Sequence, residues 1–161
     1  MVIGIDPGKI MTFAFISNNK NNVYWRRAEI QTDAFIEVIK DIKRQSAYSE
    51  GGKIFIEYVH SMPTDGRKSA FLFGYSVGCL HSALKMEGLE YQLINPTGWR
   101  KYTNTHTKQD SIDYLKNKYP NVSLLATEKS RIDNHNIADA ICIADYGYYI
   151  LFSNNKEEKN G

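Results

Sequence analysis

Cysteine is scarce in this 161-residue chain. There are two, Cys79 and Cys142, and they form neither a CxxC pair nor a zinc-ligand spacing. Both lie in apolar, helix-like patterns, so the expectation is reduced core thiols in a cytoplasmic protein rather than a disulfide framework. Long hydrophobic runs are also missing. No stretch approaches the roughly 18–20 apolar residues that a membrane span needs. The opening MVIGIDPG has no basic leader and no small-residue cleavage site, so no signal peptide is expected. Nor does one sign of charge dominate: 20 Lys and Arg against 18 Asp and Glu leave a net charge of +2. Any nucleic-acid binding must therefore come from a local basic face. What remains is an ordinary globular balance, 42% hydrophobic and 24% charged, in a chain long enough for one cored domain.

The patterning along the chain predicts strands over residues 1–6, 12–17 and 23–30, the first two ended by turn-prone segments. Thr32 or Asp33 can cap a helix whose apolar residues Phe35, Ile36, Ile39 and Ile42 recur at helical spacing. Residues 53–58 (KIFIEY) read as a strand buried on both faces, and 61–68 as a polar loop. A long helix follows to about Met86 and ends near Gly88. A strand over 89–94 ends at Pro96, and 99–107 reads as an irregular basic-aromatic segment. A helix over 109–118, a short extended piece over 122–125 and an apolar helix over 136–152 complete the domain. Residues 153–161 (SNNKEEKNG) read as a solvated, disordered tail. Strands first, then alternating helix and strand, indicate an α/β domain, 1–152, with a mixed five-stranded sheet and helices on both faces.

Three acids stand out. Asp6 ends the first strand in Ile3-Gly4-Ile5-Asp6-Pro7-Gly8, and a carboxylate there projects from the sheet edge where open α/β sheets bind ligands. Asp-Pro-Gly is also a common turn string. Glu57 ends KIFIE, where burial is costly unless a cation pairs with it. Asp139 sits among small residues in Asn136-Ile137-Ala138-Asp139-Ala140, a lone charge at the start of an apolar helix, with His135 and Asn136 able to share its face. Carboxylates from two strand ends and one helix make an oxygen-rich site suited to Mg²⁺ or Mn²⁺. Two such ions ~4 Å apart could serve phosphodiester hydrolysis.

VIGIDPG, KIFIEYV and NIADAICIA resemble, in order and interval, the three acidic motifs of the RuvC Holliday-junction resolvases of the RNase H-like superfamily, especially their phage-type relatives. FLFGYSVGCLHSAL resembles that family's glycine-spaced helix, and NPTGWRK its proline followed by basic residues; the likeness spans roughly residues 1–150. It implies an RNase H-like fold, with Asp6, Glu57 and Asp139 as metal ligands, and Lys101 or Lys108 as a basic residue serving DNA binding or catalysis. It further implies a homodimeric, Mg²⁺-dependent endonuclease, with Mn²⁺ able to substitute and two ions per site. Such an enzyme cuts four-way and other branched DNA to leave 5′-phosphates.

Two positions depart from the family's pattern. Where many members carry a second acid three residues before the last Asp, this chain has Asn136 with His135 beside it, so the fourth ligand lies open among His135, Asn136 and Asp133. An imidazole at 135 could ligate a metal or handle a proton. Where an aromatic wedge is usual, three residues past the glutamate, His60 stands instead.

Basic clusters interleaved with aromatics, Trp25-Arg26-Arg27, Arg67-Lys68 and Trp99-Arg100-Lys101-Tyr102, suggest a DNA-facing side; each alone could be an ordinary solvated face. Gly74 and Gly78 give a small-xxx-small spacing, fitting either close packing within the chain or a dimer face. Other readings are an RNase H-like nuclease acting on ribosomal RNA precursors, or a non-catalytic protein that holds branched DNA.

Overall fold

The structure is a computed structural model in which residues 1–48, 52–60 and 66–157 are described. Its strands are β1 (Val2–Asp6), β2 (Ile10–Ile16), β3 (Val23–Glu29), β4 (Lys53–Glu57) and β5 (Tyr91–Ile94). Its helices are α1 (Asp33–Tyr48), α2 (Arg67–Met86), α3 (Pro96–Thr103), α4 (Lys108–Lys118) and α5 (His135–Glu157). The sheet runs β3-β2-β1-β4-β5. β1, β2 and β3 pair antiparallel, and β4 and β5 add in parallel beyond β1. The expected mixed five-stranded sheet with helices on both faces is what forms.

Strand alternation splits the core in two. Ile3, Ile5, Phe13, Phe15, Ile54 and Ile56 face α1 and α2, meeting Phe35, Val38, Ile39, Ile42, Leu80 and Leu84. Val2, Ala14, Ile16, Phe55 and Ile94 face the other way, onto Ile137, Ala140, Ile141 and Ala144 of α5, with α3 and α4 packed outside. Thr32 is the cap of α1, its hydroxyl accepting the Phe35 N–H at 3.2 Å. Ile36, expected on the inner stripe, is 48% exposed, and Val38 takes the inward place.

Between β1 and α5 backbone meets backbone. A Cβ on Gly4 would lie 2.4 Å from both the Ala140 carbonyl oxygen and the Ala144 nitrogen. Further along α5, one on Gly147 would enter the Phe55 ring at 2.3 Å. The small residues of α5 thus let it lie directly on the sheet.

Further along α5 from its first turn, Asp145 is fully buried. It accepts from the Tyr114 hydroxyl at 2.7 Å, the Tyr119 hydroxyl at 2.8 Å and the Lys20 ammonium at 3.1 Å, and it is ion-paired with Lys118. Burial alone would raise its pKa, but Lys118 and Tyr114 outweigh burial and hold the carboxyl below its ordinary value. This knot ties the β2–β3 turn and α4 to α5.

Four segments differ from expectation. The segment expected to be irregular over 99–107 is helical up to Thr103 and irregular only over 104–107: α3 starts at Pro96, because Asn95 accepts the Thr97 N–H at 2.9 Å and Pro is suited to the first helical position. The proline that ends β5 therefore also opens a helix, which closes at Asn104 in the left-handed region (φ 53°). Arg67 and Lys68 belong to the first turn of α2, not to a loop, while the loop expected over 61–65 lies outside the described residues. The piece over 122–125 makes a single bridge, Leu125 to Asp133, instead of a strand. Finally, α5 continues past residue 152 to Glu157, and 158–161 of the expected tail lie outside the described residues.

Gly4→Ala should overpack the β1–α5 contact and lower stability by roughly 1–3 kcal/mol or more. Urea denaturation reads this directly, and a midpoint equal to that of the unmodified protein would contradict the close approach.

Candidate active site

Register brings several polar side chains into one row. Arg27 pairs with Thr12 across β3 and β2, and Thr12 pairs with Asp6 across β2 and β1. Ile5 pairs with Ile56, so the next residues, Asp6 and Glu57, lie side by side at the parallel strand ends; Glu57 pairs with Ile94 of β5. Each member of the row sits two residues from one that packs on the α5 face (Trp25, Ala14, Gly4 and Phe55), so all share that face. Asp139, one residue before Ala140, lies close enough to raise the pKa of both Asp6 and Glu57. All three acids are half-buried, and among the described residues none has an ion-pair partner.

The electrostatics follow from that placement. Burial pushes Asp6 well above the ordinary carboxylate value, and the charges of Glu57 and Asp139 add to the shift. Burial also raises Glu57, opposed by the bond from Trp99 and the charge of Arg100. Asp139 is raised by burial against the Ser111 hydroxyl, His135 and Arg100. Burial lowers His135, and Lys108 lowers it further, so the ring favours its neutral form, with a nitrogen lone pair free to accept a proton or a cation.

Neutral donors sit among these charges. Trp99, only 1% exposed, donates its indole N–H to Glu57 Oε1 at 2.9 Å. Three buried polar atoms here lack a hydrogen-bond partner: Thr12 Oγ1, Arg27 Nε and Asp139 Oδ1. Among the described residues, no three His, Cys, Asp or Glu side chains close into a ready metal cage. The donor set nevertheless suits a hard divalent cation in kind: carboxylate oxygens, crowded and desolvated, with an orphaned oxygen on Asp139.

The basic residues divide. Trp25, Arg26 and Arg27 are consecutive on a strand and cannot share one surface. The Trp25 indole donates to the Ser123 carbonyl at 2.7 Å, Arg26 pairs with Asp41 of α1 at 3.0 Å, and Arg27 alone joins the acid row. Arg100 and Lys108 line a cavity of about 270 Å³ with His106, Ser111, Trp99 and Asp139. Lys101 is exposed on α3, and Arg67 and Lys68 are exposed at the start of α2. Asp133 is engaged elsewhere, in an ion pair with Lys116 at 2.6 Å. His135 and Asn136 stay in the first turn of α5, on the side of Asp139. A larger cleft of about 670 Å³, lined by Lys9, His60, Leu72, Phe73 and Tyr75, contains none of the three acids.

Sequence reasoning missed Thr12, Ser111 and the true role of Trp99. Thr12 was readable in principle as the residue that the β1–β2 hairpin sets opposite Asp6. Ser111 and Trp99 reach the acids only through tertiary packing.

No protein-family model and no curated protein matches the chain in sequence. In structure it is similar to "T. thermophilus RuvC in complex with Holliday junction substrate", with a TM-score of 0.60 and 14% identity over 93% of this chain and 94% of that one. It is also similar to "Thermus thermophilus RuvC structure", with a TM-score of 0.58 and 14% identity over 94% and 96% of the two chains. The fold is the RNase H-like fold of RuvC. At that level of identity, the likeness speaks for architecture alone. No helix among the described residues is long and apolar enough to cross a membrane.

The raised carboxyls have a consequence for stability. Between the unfolded pKa near 3.8 and the higher folded pKa of Asp6, the folded state binds the extra proton. Stability therefore falls as pH rises through that window, as the buried carboxyl is forced to ionise beside its acidic neighbours. Asp6→Asn should raise Tm in chelator at pH 7 by a few degrees, since 1 kcal/mol moves Tm by about 2–4 °C at this size. A lowered Tm measured by calorimetry would refute the repulsion.

Proposed function

We propose that the chain is a metal-dependent endonuclease that resolves four-way junctions, and other branched DNA, by phosphodiester hydrolysis leaving 5′-phosphates. The observation that carries this reading is the one row of Asp6 and Glu57, with Asp139 beside it: three carboxylates desolvated and, among the described residues, without an ion-pair partner. The fold adds support, since it is shared with a RuvC protein solved in complex with a Holliday junction substrate. The narrower resemblance, to phage-type relatives, rests on the three ordered acidic segments alone.

Asp6, Glu57 and Asp139 would hold Mg²⁺, or Mn²⁺ in its place, with two ions per site and with His135 or Asn136 at its margin. Bound there, a divalent ion supplies Lewis-acid charge to a phosphodiester. His135, neutral near pH 7, is suited to accept a proton. Arg27, Arg100 and Lys108 bring positive charge to a phosphate beside the acids, while Lys101, Arg67 and Lys68 contribute backbone contacts further out.

The partner in a symmetric cut would be a second copy. On α2, Phe71 (72% exposed), Leu72 and Tyr75 are exposed, and a Cβ on Gly74 or Gly78 would meet nothing within 4 Å. Among the described residues these glycines meet nothing within the chain, which supports the dimer reading of their spacing.

Asp6→Asn should retain junction binding and lose cleavage by about 10³-fold, equivalent to ~4 kcal/mol of barrier. Labelled four-way, three-way and fork substrates with and without Mg²⁺ check this, alongside an RNA substrate. Nicking by the variant at the unmodified rate would refute the site. Phe71→Asp should yield monomers in light scattering, whereas a monomeric unmodified protein, both free and on DNA, would sink the paired cut.

A further inference from the structure

We propose that Trp99 is a positioning residue for Glu57, its indole N–H fixing one carboxylate oxygen and leaving the other for the cation. The inference rests on the reading of Asp6, Glu57 and Asp139 as the cation site, and it gives Trp99 a role other than the DNA-facing one that its basic-aromatic cluster suggests.

The geometry is over-determined. Trp99 Nε1 lies 2.9 Å from Glu57 Oε1, and the side chain is 1% exposed. Its backbone and ring have partners within α3, and α3 is seated on α5. The Thr103 hydroxyl donates to the Trp99 carbonyl at 2.9 Å, and the Arg100 guanidinium lies 5.1 Å from the indole ring centre. A Cβ at Gly98 would sit 2.9 Å from the Tyr146 hydroxyl, so α3 is seated hard against α5. The Glu57 side chain stands at the end of β4, where the strand no longer constrains its outer torsions, and the indole supplies that constraint. The chemistry of the donor matters too. An indole has one N–H and no charge, so it occupies one lone pair without neutralising the carboxylate. A lysine or arginine in that place would act as a counter-ion and compete with a metal. Hydrogen bonds that orient metal ligands in this way are typically worth about 10–100-fold in metal affinity or activity.

The test uses the full chain in a Trp25→Phe background, so that residue 99 is the sole tryptophan of the two in the sequence. Trp99 is replaced by 3-benzothienylalanine, which keeps the bicyclic shape and lacks the N–H, and Mn²⁺ affinity is measured by calorimetry. Expected is a roughly 10–100-fold weaker affinity with an unchanged fold by circular dichroism, and cleavage partly rescued by higher Mn²⁺. Affinity and Mn²⁺ midpoint equal to those of the Trp99 protein would overturn the proposal while leaving the metal site intact. A second readout needs no isostere: Mg²⁺ binding should change Trp99 emission, and calorimetric binding with no change in emission would likewise overturn it. Should the Trp99 protein bind neither Mg²⁺ nor Mn²⁺, the cation site itself fails, and this proposal with it.

Discussion

The backbone contact between Gly4 and the Ala140–Ala144 turn of α5 is the constraint on which the rest depends. With no side chain on β1 at that point, helix and strand touch backbone to backbone, too close for any Cβ. Asp6 stands two residues after Gly4 on the same strand face, and Asp139 stands one residue before Ala140. The contact that docks the helix therefore also sets the two aspartates near each other. A bulkier residue at position 4 would lift α5 off the sheet and part them, so core packing and the acid cluster are one geometric problem here.

Asp139 and Asp145 lie on the same helix and are treated in opposite ways. Asp145 is wholly buried and answered by two ammonium groups and two phenol hydroxyls, which hold its pKa low. Such a carboxylate is complete, and its role is to lock α4 and the β2–β3 turn onto α5. Asp139 has no ion-pair partner among the described residues, burial raises its pKa despite the more distant charges of His135, Arg100 and Lys108, and one of its oxygens has no partner. Asp145 is the more buried of the two yet has the lower pKa, so the difference lies in the counter-charges. Removing a paired buried charge leaves a cost behind, whereas a group with no partner is already at a cost that a ligand can relieve.

Much of this was legible in the sequence, and the limits have physical causes. The strand-ending acids Asp6 and Glu57 were readable because a strand's end and its turn chemistry are local features. So was the close docking of α5, because Ala138, Ala140 and Ala144 mark a helix that can approach a sheet. The aromatic-basic strings were misleading. Trp25-Arg26-Arg27 looks like one patch but, with a period of two, it is dispersed to two faces. Trp99 was grouped with Arg100 and Lys101 as surface, yet helical geometry turns it inward while its neighbours stay out. The helix holding it is hidden because Pro96 signals an end to β5, while Asn-Pro is equally an N-cap followed by a first helical residue.

The choice of donors around the acids follows from the same electrostatics. A cluster of three carboxylates needs restraint, or the side chains would swing toward solvent to escape one another. Cationic restraints would satisfy the charge, as Lys20 and Lys118 do at Asp145, and would leave nothing for a further cation to do. An indole restrains without neutralising, and that is what stands at Glu57, in Trp99, while the Ser111 hydroxyl lines the same cavity as Asp139. The positive side chains that do approach, Arg27, Arg100 and Lys108, make no ion pair with the acids among the described residues and act on them at longer range. Restrained but not paired, the carboxylates would gain from a cation, and the outlying guanidinium and ammonium groups from an anion. A phosphodiester accompanied by a divalent ion satisfies both requirements at once.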